Sequence, residues 1–300
     1  MKIKIIVVLF IVITFFGKAG FPQGNDQGPI AGLKMIVSTD KTTYLEGEVV
    51  WKEIKLIIDK SVVKLDYKPA FYPNRDLEET VTNSKNQGMP GWDPTYTTMG
   101  EIPTYYPDTI RLFDVLNVGI FEESPDAMHL AITYLPVDDY EFTATVNVAV
   151  KGENYKIKSE PYKFKVLKPE GDEALARQEY LEIFQLVFSS PPENKRVANK
   201  VDNFFVQYPN SVYIDQILRK SLIAYFIYYN KSLDEEISFL TNIIEKYPGF
   251  ASNFERLIGL RACFDSKNDL DGFIKFINEL KSKNKDNNTL NKVLYYLGIK

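Results

Sequence analysis

The sequence predicts a multidomain β + α protein, with a β-sandwich over residues 33–168 and an all-α helical repeat domain over residues 169–300. In the first range apolar residues alternate with polar ones, for example from Tyr140 to Val150, as in a strand with one buried face. After residue 168 the period changes to the i, i+3, i+4 spacing of amphipathic helices. A segment that recurs 39 residues further on indicates that these helices form repeats.

The strand pattern of the first domain changes at two positions. Residues 151–154, Lys-Gly-Glu-Asn, separate two alternating runs and predict a turn between antiparallel strands. Pro161 interrupts the second run. Proline cannot donate a ladder hydrogen bond, so this position is typical of a bulge or an edge strand.

Two short motifs in this range resemble a known family. Residues 40–48 read Asp-Lys-Thr-Thr-Tyr-Leu-Glu-Gly-Glu, and residues 135–140 read Leu-Pro-Val-Asp-Asp-Tyr before a long strand. Both are similar to segments of immunoglobulin-like domains of exported proteins, macroglobulin-type domains among them, and the second resembles the tyrosine corner. The resemblance implies an immunoglobulin-like β-sandwich with a turn at Gly47, Tyr44 covering one end, and Tyr140 hydrogen-bonded back to the main chain.

Residues 67–106 form a long segment with seven aromatic residues, several prolines and little periodicity. Long ordered segments of this kind are often functional, and aromatic side chains can stack on sugars or grip an extended peptide. The candidate ligand-binding residues here are Trp92, Tyr96, Tyr105 and Tyr106. The other interpretation, which is the favoured one, is that the segment packs down as a lid over the sandwich.

The second domain has the periodicity of about seven helices joined by short polar turns. Ser232 and Glu235 have the spacing of a capping box, so we expect a helix to begin directly after Ser232. Tyrosines at helical spacing are candidate partner contacts, namely Tyr225, Tyr228 and Tyr229.

A repeat is visible within the helical half. Residues 203–209, Asn-Phe-Phe-Val-Gln-Tyr-Pro, recur as residues 242–248, Asn-Ile-Ile-Glu-Lys-Tyr-Pro, and a degenerate copy runs over residues 273–280. Residues 204–213 resemble the tetratricopeptide-like repeats of bacterial envelope proteins, such as the Tol–Pal-associated cell-division coordinator and the outer-membrane assembly lipoproteins. The resemblance implies stacked helix pairs that bind a protein partner and perform no chemistry. A purely structural helical appendage is the alternative.

The N-terminus predicts export. Lys2 and Lys4 precede an apolar run that is too short to span a bilayer, and small residues follow near Ala19. We expect a signal peptide over residues 1–19, a linker over residues 20–32 and a secreted or periplasmic mature protein. No cysteine follows the run, so a bacterial lipoprotein anchor is not expected there, nor is a membrane span after signal removal.

The composition argues against nucleic-acid binding, an internal disulfide framework and a Cys/His zinc site. The chain has 36 basic and 40 acidic residues, so its overall charge does not favour nucleic-acid binding. One histidine, His129, and one cysteine, Cys263, cannot form an internal disulfide or a zinc site that needs several such ligands. Cys263 lies in an apolar helical pattern, so we expect a buried, unreactive thiol. No cofactor or metal is expected.

Catalytic signals are weak. His129 lies in a strand-like run, and no nucleophile-elbow motif accompanies it. Acidic pairs at 122–123 and 138–139 could serve glycoside hydrolysis, but such pairs are also common on solvated loops. Residues 268–272, Asn-Asp-Leu-Asp-Gly, partly match a calcium loop without its downstream acid. We expect Asn268 or Asp269 to cap the start of a helix instead.

These features together predict a non-catalytic exported protein that mediates protein–protein binding or scaffolding in the cell envelope. The expected partner is an envelope protein. The alternative is a carbohydrate-binding protein that uses the aromatic 67–106 segment. A third hypothesis, from the acidic pairs, is a carboxylate enzyme acting on polysaccharide.

Overall fold

The computed structural model describes residues 30–69, 77–90, 108–116, 120–122, 132–188, 194–219 and 232–299. Within these ranges, strands occupy the N-terminal half of the chain and helices the C-terminal half. The predicted signal peptide, residues 1–19, and most of the predicted linker lie outside the described residues.

The strands form two main sheets and one short ribbon. They are β1 (Leu33–Thr39), β2 (Thr43–Leu45), β3 (Trp51–Ile58), β4 (Leu77–Asn83), β5 (Thr109–Val115), β6 (Ile120–Glu122), β7 (Ile132–Tyr134), β8 (Asp138–Val150), β9 (Glu153–Lys158) and β10 (Tyr162–Leu167). The first sheet has the order β1-β3-β5, and the second has the order β2-β10-β8-β4 with β9 also paired to β8. The ribbon joins β6 and β7. These pairs are antiparallel except β2–β10.

The two main sheets share one apolar interior, here called the strand core, to which alternate residues of each strand contribute. Ile54 and Leu56 of β3 and Phe142 and Val146 of β8 are completely or almost completely buried in it. The predicted turn at residues 151–154 is confirmed, because β8 and β9 pair directly on either side of residues 151–152. Both turn residues have positive φ, as a tight hairpin turn requires.

Two features predicted by the motifs at residues 40–48 and 135–140 are confirmed locally. The hydroxyl of Tyr140 donates a hydrogen bond to the carbonyl oxygen of Pro136 at 2.8 Å. Tyr44 is buried, and its hydroxyl donates to Asp40 at 2.5 Å. These bonds fix the chain at the ends of the strands, and short-range sequence is sufficient to specify them.

The helices are α1 (Gly171–Phe188), α2 (Asn194–Gln207), α3 (Tyr213–Arg219), α4 (Leu233–Lys246), α5 (Asn253–Ser266), α6 (Leu270–Lys283) and α7 (Asn288–Tyr296). The predicted capping box is confirmed, since Ser232 and Glu235 exchange hydrogen bonds at the start of α4. The predicted helix cap in residues 268–272 is also confirmed, because the Asp269 carboxylate accepts from the amide of Gly272 at 3.0 Å. The two Tyr-Pro segments directly follow α2 and α4.

The fold-class prediction, an immunoglobulin-like β-sandwich followed by an all-α tetratricopeptide-like domain, is wrong. The chain has a mixed α/β structure in which the strands of the N-terminal half and the helices of the C-terminal half pack against each other. Strand residues Trp51, Phe113 and Val115 belong to the same apolar cluster as helix residues of α4 to α7. The physical reason is that Trp51, Phe113 and Val115 make the outer face of the β1-β3-β5 sheet apolar at one end, and helices bury this face. We call this cluster the shared core.

A second contact between the halves surrounds the turn that connects β2 and β3. Gln216 donates to the carbonyl oxygen of Gly47 at 2.8 Å, and Tyr213 donates to that of Glu46 at 2.7 Å. Gly47 has a φ of +89°, and a Cβ there would lie 3.3 Å from Arg177. The positive φ of this turn therefore favours glycine, and a side chain there would also be tightly packed against Arg177 of α1 and Tyr213 of α3.

The helical half is held together in part by a buried polar network. The Asp215 carboxylate on α3 accepts from Arg256 of α5 at 3.2 Å and from the hydroxyl of Ser252. Arg256 also donates to Asn253 at 2.8 Å. Because these groups are buried and mutually satisfied, they fix the position of α5, which packs on the sheet.

We predict that Phe113→Ala destabilises both halves together. The substitution removes an aromatic side chain from the shared core, and such changes cost about 3–5 kcal/mol. Urea unfolding should show the helical circular dichroism signal and the tryptophan fluorescence falling together at a lower midpoint.

Leu167→Ala is the control, because Leu167 is largely exposed and its loss should change stability by less than about 0.5 kcal/mol. A helical transition that keeps its wild-type midpoint in the Phe113 variant would contradict the shared core.

Candidate functional site

The site residues that the sequence analysis singled out lie outside the described residues. They are Trp92, Tyr96, Tyr105 and Tyr106 of the aromatic segment, and Tyr225, Tyr228 and Tyr229 of the helical half. His129 also lies outside them. The site described below was not identified from the sequence and is built from residues in the described ranges.

The outer face of the β1-β3-β5 sheet is divided into a covered end and an open end. At the covered end Trp51 is 1% and Phe113 is 5% exposed. At the open end Ile36 is 36% and Ile57 is 37% exposed. The exposed and half-buried side chains at this end, together with Tyr295 of α7, define the surface that we call the open face. Its sheet residues are Lys34, Ile36, Lys55, Ile57, Thr109 and Arg111.

An aromatic stack anchors the covered end. The ring of Phe113 lies 5.2 Å from that of Trp51 and 5.0 Å from that of Tyr296, and both pairs are nearly parallel. Phe254 of α5 meets Phe113 edge-on at 5.7 Å. The stack thus joins β3 and β5 to α5 and α7, and offset or edge-on aromatic pairs add stability beyond their buried area.

Glu53 lies at the boundary between the covered end and the open face. It is 5% exposed, and its two carboxylate oxygens accept from Lys55 at 2.7 Å and from Lys292 of α7 at 2.9 Å. Ser38 of β1 makes a longer contact with the same carboxylate at 3.4 Å. Glu53 therefore ties β1, β3 and α7 together at one point.

The electrostatics of Glu53 follow from these contacts. Burial alone would raise its pKa, but hydrogen bonds from Lys55 and Lys292, together with their charges, hold the pKa below its ordinary value of 4.5. The carboxylate is therefore ionised at neutral pH. It forms ion pairs with Lys55 and Lys292, which border the open face.

Arg111 and Tyr295 form the wall of the open face next to α7. The guanidinium carbon of Arg111 lies 4.6 Å from the centre of the Tyr295 ring, which is a cation–π contact. Tyr295 is nevertheless 56% exposed. The contact holds both long side chains in place while leaving much of their surface available to a ligand.

The apolar centre of the open face is framed by cations. Ile57 lies opposite Lys34 of β1, and Ile36 lies opposite Lys55, which in turn lies opposite Arg111 of β5. The two isoleucines are therefore diagonal neighbours on adjacent strands. The open face therefore combines isoleucine, tyrosine and arginine, and tyrosine and arginine are enriched at protein–protein interfaces.

Another charged pair lies in the strand core. Lys52 is 1% exposed and donates to Glu79 of β4 at 2.7 Å, which links the two main sheets. Burial raises the pKa of Glu79 in spite of the charge and hydrogen bond of Lys52. The second oxygen of Glu79 has no hydrogen-bond partner in the part of the chain that the structure describes. The pair points into the strand core and not onto the open face.

The described residues contain no group of three or more histidine, cysteine, aspartate or glutamate side chains placed to hold a metal ion. The prediction for Cys263 is confirmed, because the thiol is buried and burial raises its pKa to about 11. A thiol with this pKa is almost entirely protonated at neutral pH and is a poor nucleophile.

Comparisons with known proteins do not assign the chain to a family. No family model matches the chain, and no curated protein matches it. The X-ray structure of the Northeast Structural Genomics Consortium target SoR45 is 14% identical, with a TM-score of 0.26 over 48% of this chain and 95% of that one. The sporulation control protein Spo0M from Bacillus subtilis is 11% identical, with a TM-score of 0.24 over 52% of this chain and 56% of that one. Likenesses this weak carry no argument about fold or function.

None of the helices within the described ranges is both long enough and apolar enough to cross a membrane.

We predict that Glu53→Gln destabilises the protein in a pH-dependent way. The folded-state pKa of Glu53 is below the unfolded value, so its ionised form stabilises the fold above about pH 4.5, and this contribution is lost as the pH falls through the folded-state pKa. Because charged hydrogen bonds contribute about 1.5–3 kcal/mol, the variant should lose about 2 kcal/mol at pH 7. Urea unfolding at a series of pH values measures the difference.

The matched control is Glu141→Gln, whose carboxylate pairs with Lys163 on the exposed surface. That change should cost less than about 1 kcal/mol at any pH. A Glu53 variant with wild-type stability at neutral pH would show that the Lys55–Glu53–Lys292 contact contributes nothing to the fold.

Proposed function

We propose that the chain is a non-catalytic exported protein that binds a protein partner, in a scaffolding role in the cell envelope, and that the open face is the binding surface. The observation that carries the proposal is that Ile36, Ile57 and Tyr295 are exposed next to Arg111 on a sheet whose other end is buried. Tyrosine and arginine are enriched among the residues that dominate protein–protein binding energy.

The construction of the open face supports this role. Its strands are held by ladder hydrogen bonds on both sides of β3, and Glu53 and the Phe113 stack hold its inner border. A surface fixed in this way loses little conformational entropy when a partner binds, which favours affinity. Regular strands therefore supply the scaffold for binding.

The sequence supports placement outside the cytoplasm. Lys2 and Lys4 before a short apolar run have the pattern of a secretory signal peptide. With that leader removed, we propose a secreted or periplasmic protein whose partner is another envelope protein. Carbohydrate binding by the aromatic segment at residues 67–106 is the competing proposal, and the same experiment separates the two.

We predict that an affinity pull-down from envelope extract with the mature chain, residues 20–300, recovers a specific protein. The double variant Ile36→Ser/Ile57→Ser should recover at least about tenfold less of it, because two central contacts of about 1 kcal/mol each would be lost. The measurement is quantitative mass spectrometry of the retained proteins.

The control double variant is Leu175→Ser/Val206→Ser, which removes two exposed apolar side chains from α1 and α2. It should retain the partner at the wild-type level. Full retention of the partner by the open-face variant would contradict the proposed surface. Retention of glycan in place of a protein would contradict protein binding and favour the aromatic segment.

A further inference from the structure

We infer that the segment that occupies the open face is acidic, with carboxylates that pair with Arg111 and Lys34 on either side of an apolar contact to Ile57, next to which Ile36 is also exposed. This inference rests on the proposed function and specifies the partner's chemistry. It follows from which charges on this surface are already paired and which are not.

The cations of the open face fall into two classes. Lys55 and Lys292 both donate to Glu53, so their charge is largely compensated. Lys34 and Arg111 are exposed, and no carboxylate of the described residues lies within salt-bridge distance of either. Two cations without an ion-pair partner among the described residues therefore lie on β1 and β5, with Ile57 and the compensated Lys55 of β3 between them and Ile36 beside Lys34.

The acidic groups near this surface do not cancel those cations. Asp108, just before β5, pairs with Lys60 at 3.0 Å. Asp59, after the end of β3, accepts a hydrogen bond from the main-chain amide of Ser61 at 3.0 Å. The open face thus has a positive surplus on a chain whose acidic residues outnumber its basic ones by 40 to 36. Such a local reversal of sign steers an anionic partner to this surface.

Arg111 is suited to recognise a carboxylate. Its guanidinium carbon lies 4.6 Å from the centre of the Tyr295 ring, at cation–π distance. A guanidinium carries five N–H donors in a planar fork, which can form two parallel hydrogen bonds to a carboxylate. Because the contact with Tyr295 restrains the side chain, less side-chain freedom is lost on binding than for an unsupported arginine.

The spacing of the cations defines the shape of the partner segment. Lys34 and Arg111 lie on strands separated by β3, and adjacent strands are about 4.8 Å apart, so the two positions are about 10 Å apart across the sheet. Because Lys34 is in register with Thr109, Arg111 is also offset by two residues along the strands, which makes the separation about 12 Å. An extended segment covers this distance in about four residues. Since its side chains alternate between two faces, acidic residues at positions i and i+4 with an apolar residue at i+2 would match the two cations and Ile57.

A phosphate-rich ligand fits the surface less well. Nucleic acids and anionic membranes are bound by larger basic fields, in which many lysines and arginines are clustered. Here two uncompensated cations alternate with exposed isoleucines, which would have to be covered against a highly charged backbone. The apolar and cationic pattern therefore favours a protein segment.

The test is fluorescence anisotropy with the mature chain and two labelled peptides, one a repeat of Glu-Ser-Leu-Ser and the other a repeat of Lys-Ser-Leu-Ser, so that the charged and apolar side chains share one face of an extended segment. We expect the acidic peptide to bind, the basic peptide not to bind, and the affinity to fall as salt is raised from about 50 to about 500 mM. The variant Lys34→Glu/Arg111→Glu should bind the acidic peptide at least about tenfold more weakly.

The matched control is Lys158→Glu/Lys275→Glu, which makes the same charge change at exposed positions on β9 and α6. It should bind the acidic peptide as the wild type does. Thermal unfolding followed by circular dichroism shows whether each variant is folded. The milder pair Lys34→Gln/Arg111→Gln is used if charge reversal disturbs the sheet, with weaker acidic-peptide binding again expected.

Three outcomes would overturn the inference. They are equal binding of the two peptides, unchanged binding by the Lys34/Arg111 variants, and equally tight binding of a fluorescent single-stranded oligonucleotide, which would show a general anion site. A pull-down partner that the charge-reversed variant retains would overturn the acidic specificity and leave protein binding intact. If the wild type retains no protein and binds neither peptide, the proposed function itself fails.

Discussion

The stack of Phe113 between Trp51 and Tyr296 is the contact on which the remaining structure depends. It gives the outer face of the β1-β3-β5 sheet a partner at one end, and it gives helices α5 and α7 a sheet on which to pack. Without this contact, both the strand and the helical halves would expose large aromatic side chains to water. A single apolar cluster thus makes one folded unit out of two stretches of chain with different secondary structure.

The same arrangement explains the open face. Within the described ranges the helices bury one end of the outer side of the sheet, and Tyr295, next to the last residue of α7, lies beside Arg111. Glu53 lies between the covered end and the open face and forms ion pairs with Lys55 of the sheet and Lys292 of α7. Beyond that border the isoleucines and the uncompensated cations stay exposed on a rigid surface. The proposed binding role is therefore a consequence of partial coverage.

Local features were predictable from the sequence, and the packing between distant segments was not. The Tyr140 corner bond, the Ser232 capping box and the Asp269 helix cap each depend on residues within five positions of one another. The fold-class prediction was wrong because local patterns do not show contacts between distant segments. Trp51 and Phe113 are 62 positions apart, and their helical partners follow more than 130 positions later. The open face was not predicted from the sequence. The sequence pattern indicates strands that contain Ile36 and Ile57, but it does not indicate which end of the sheet the helices cover.

The most direct test of the central claim is native-state hydrogen exchange on the wild-type chain, resolved by residue. If β3 and α7 share a core, the amides of Ile54 and Leu294, both buried, should exchange through the same opening reaction with the same free energy and the same denaturant dependence. Exchange of α7 amides at a clearly lower free energy, with β3 still protected, would contradict the account. It would show that the helices open independently of the sheet.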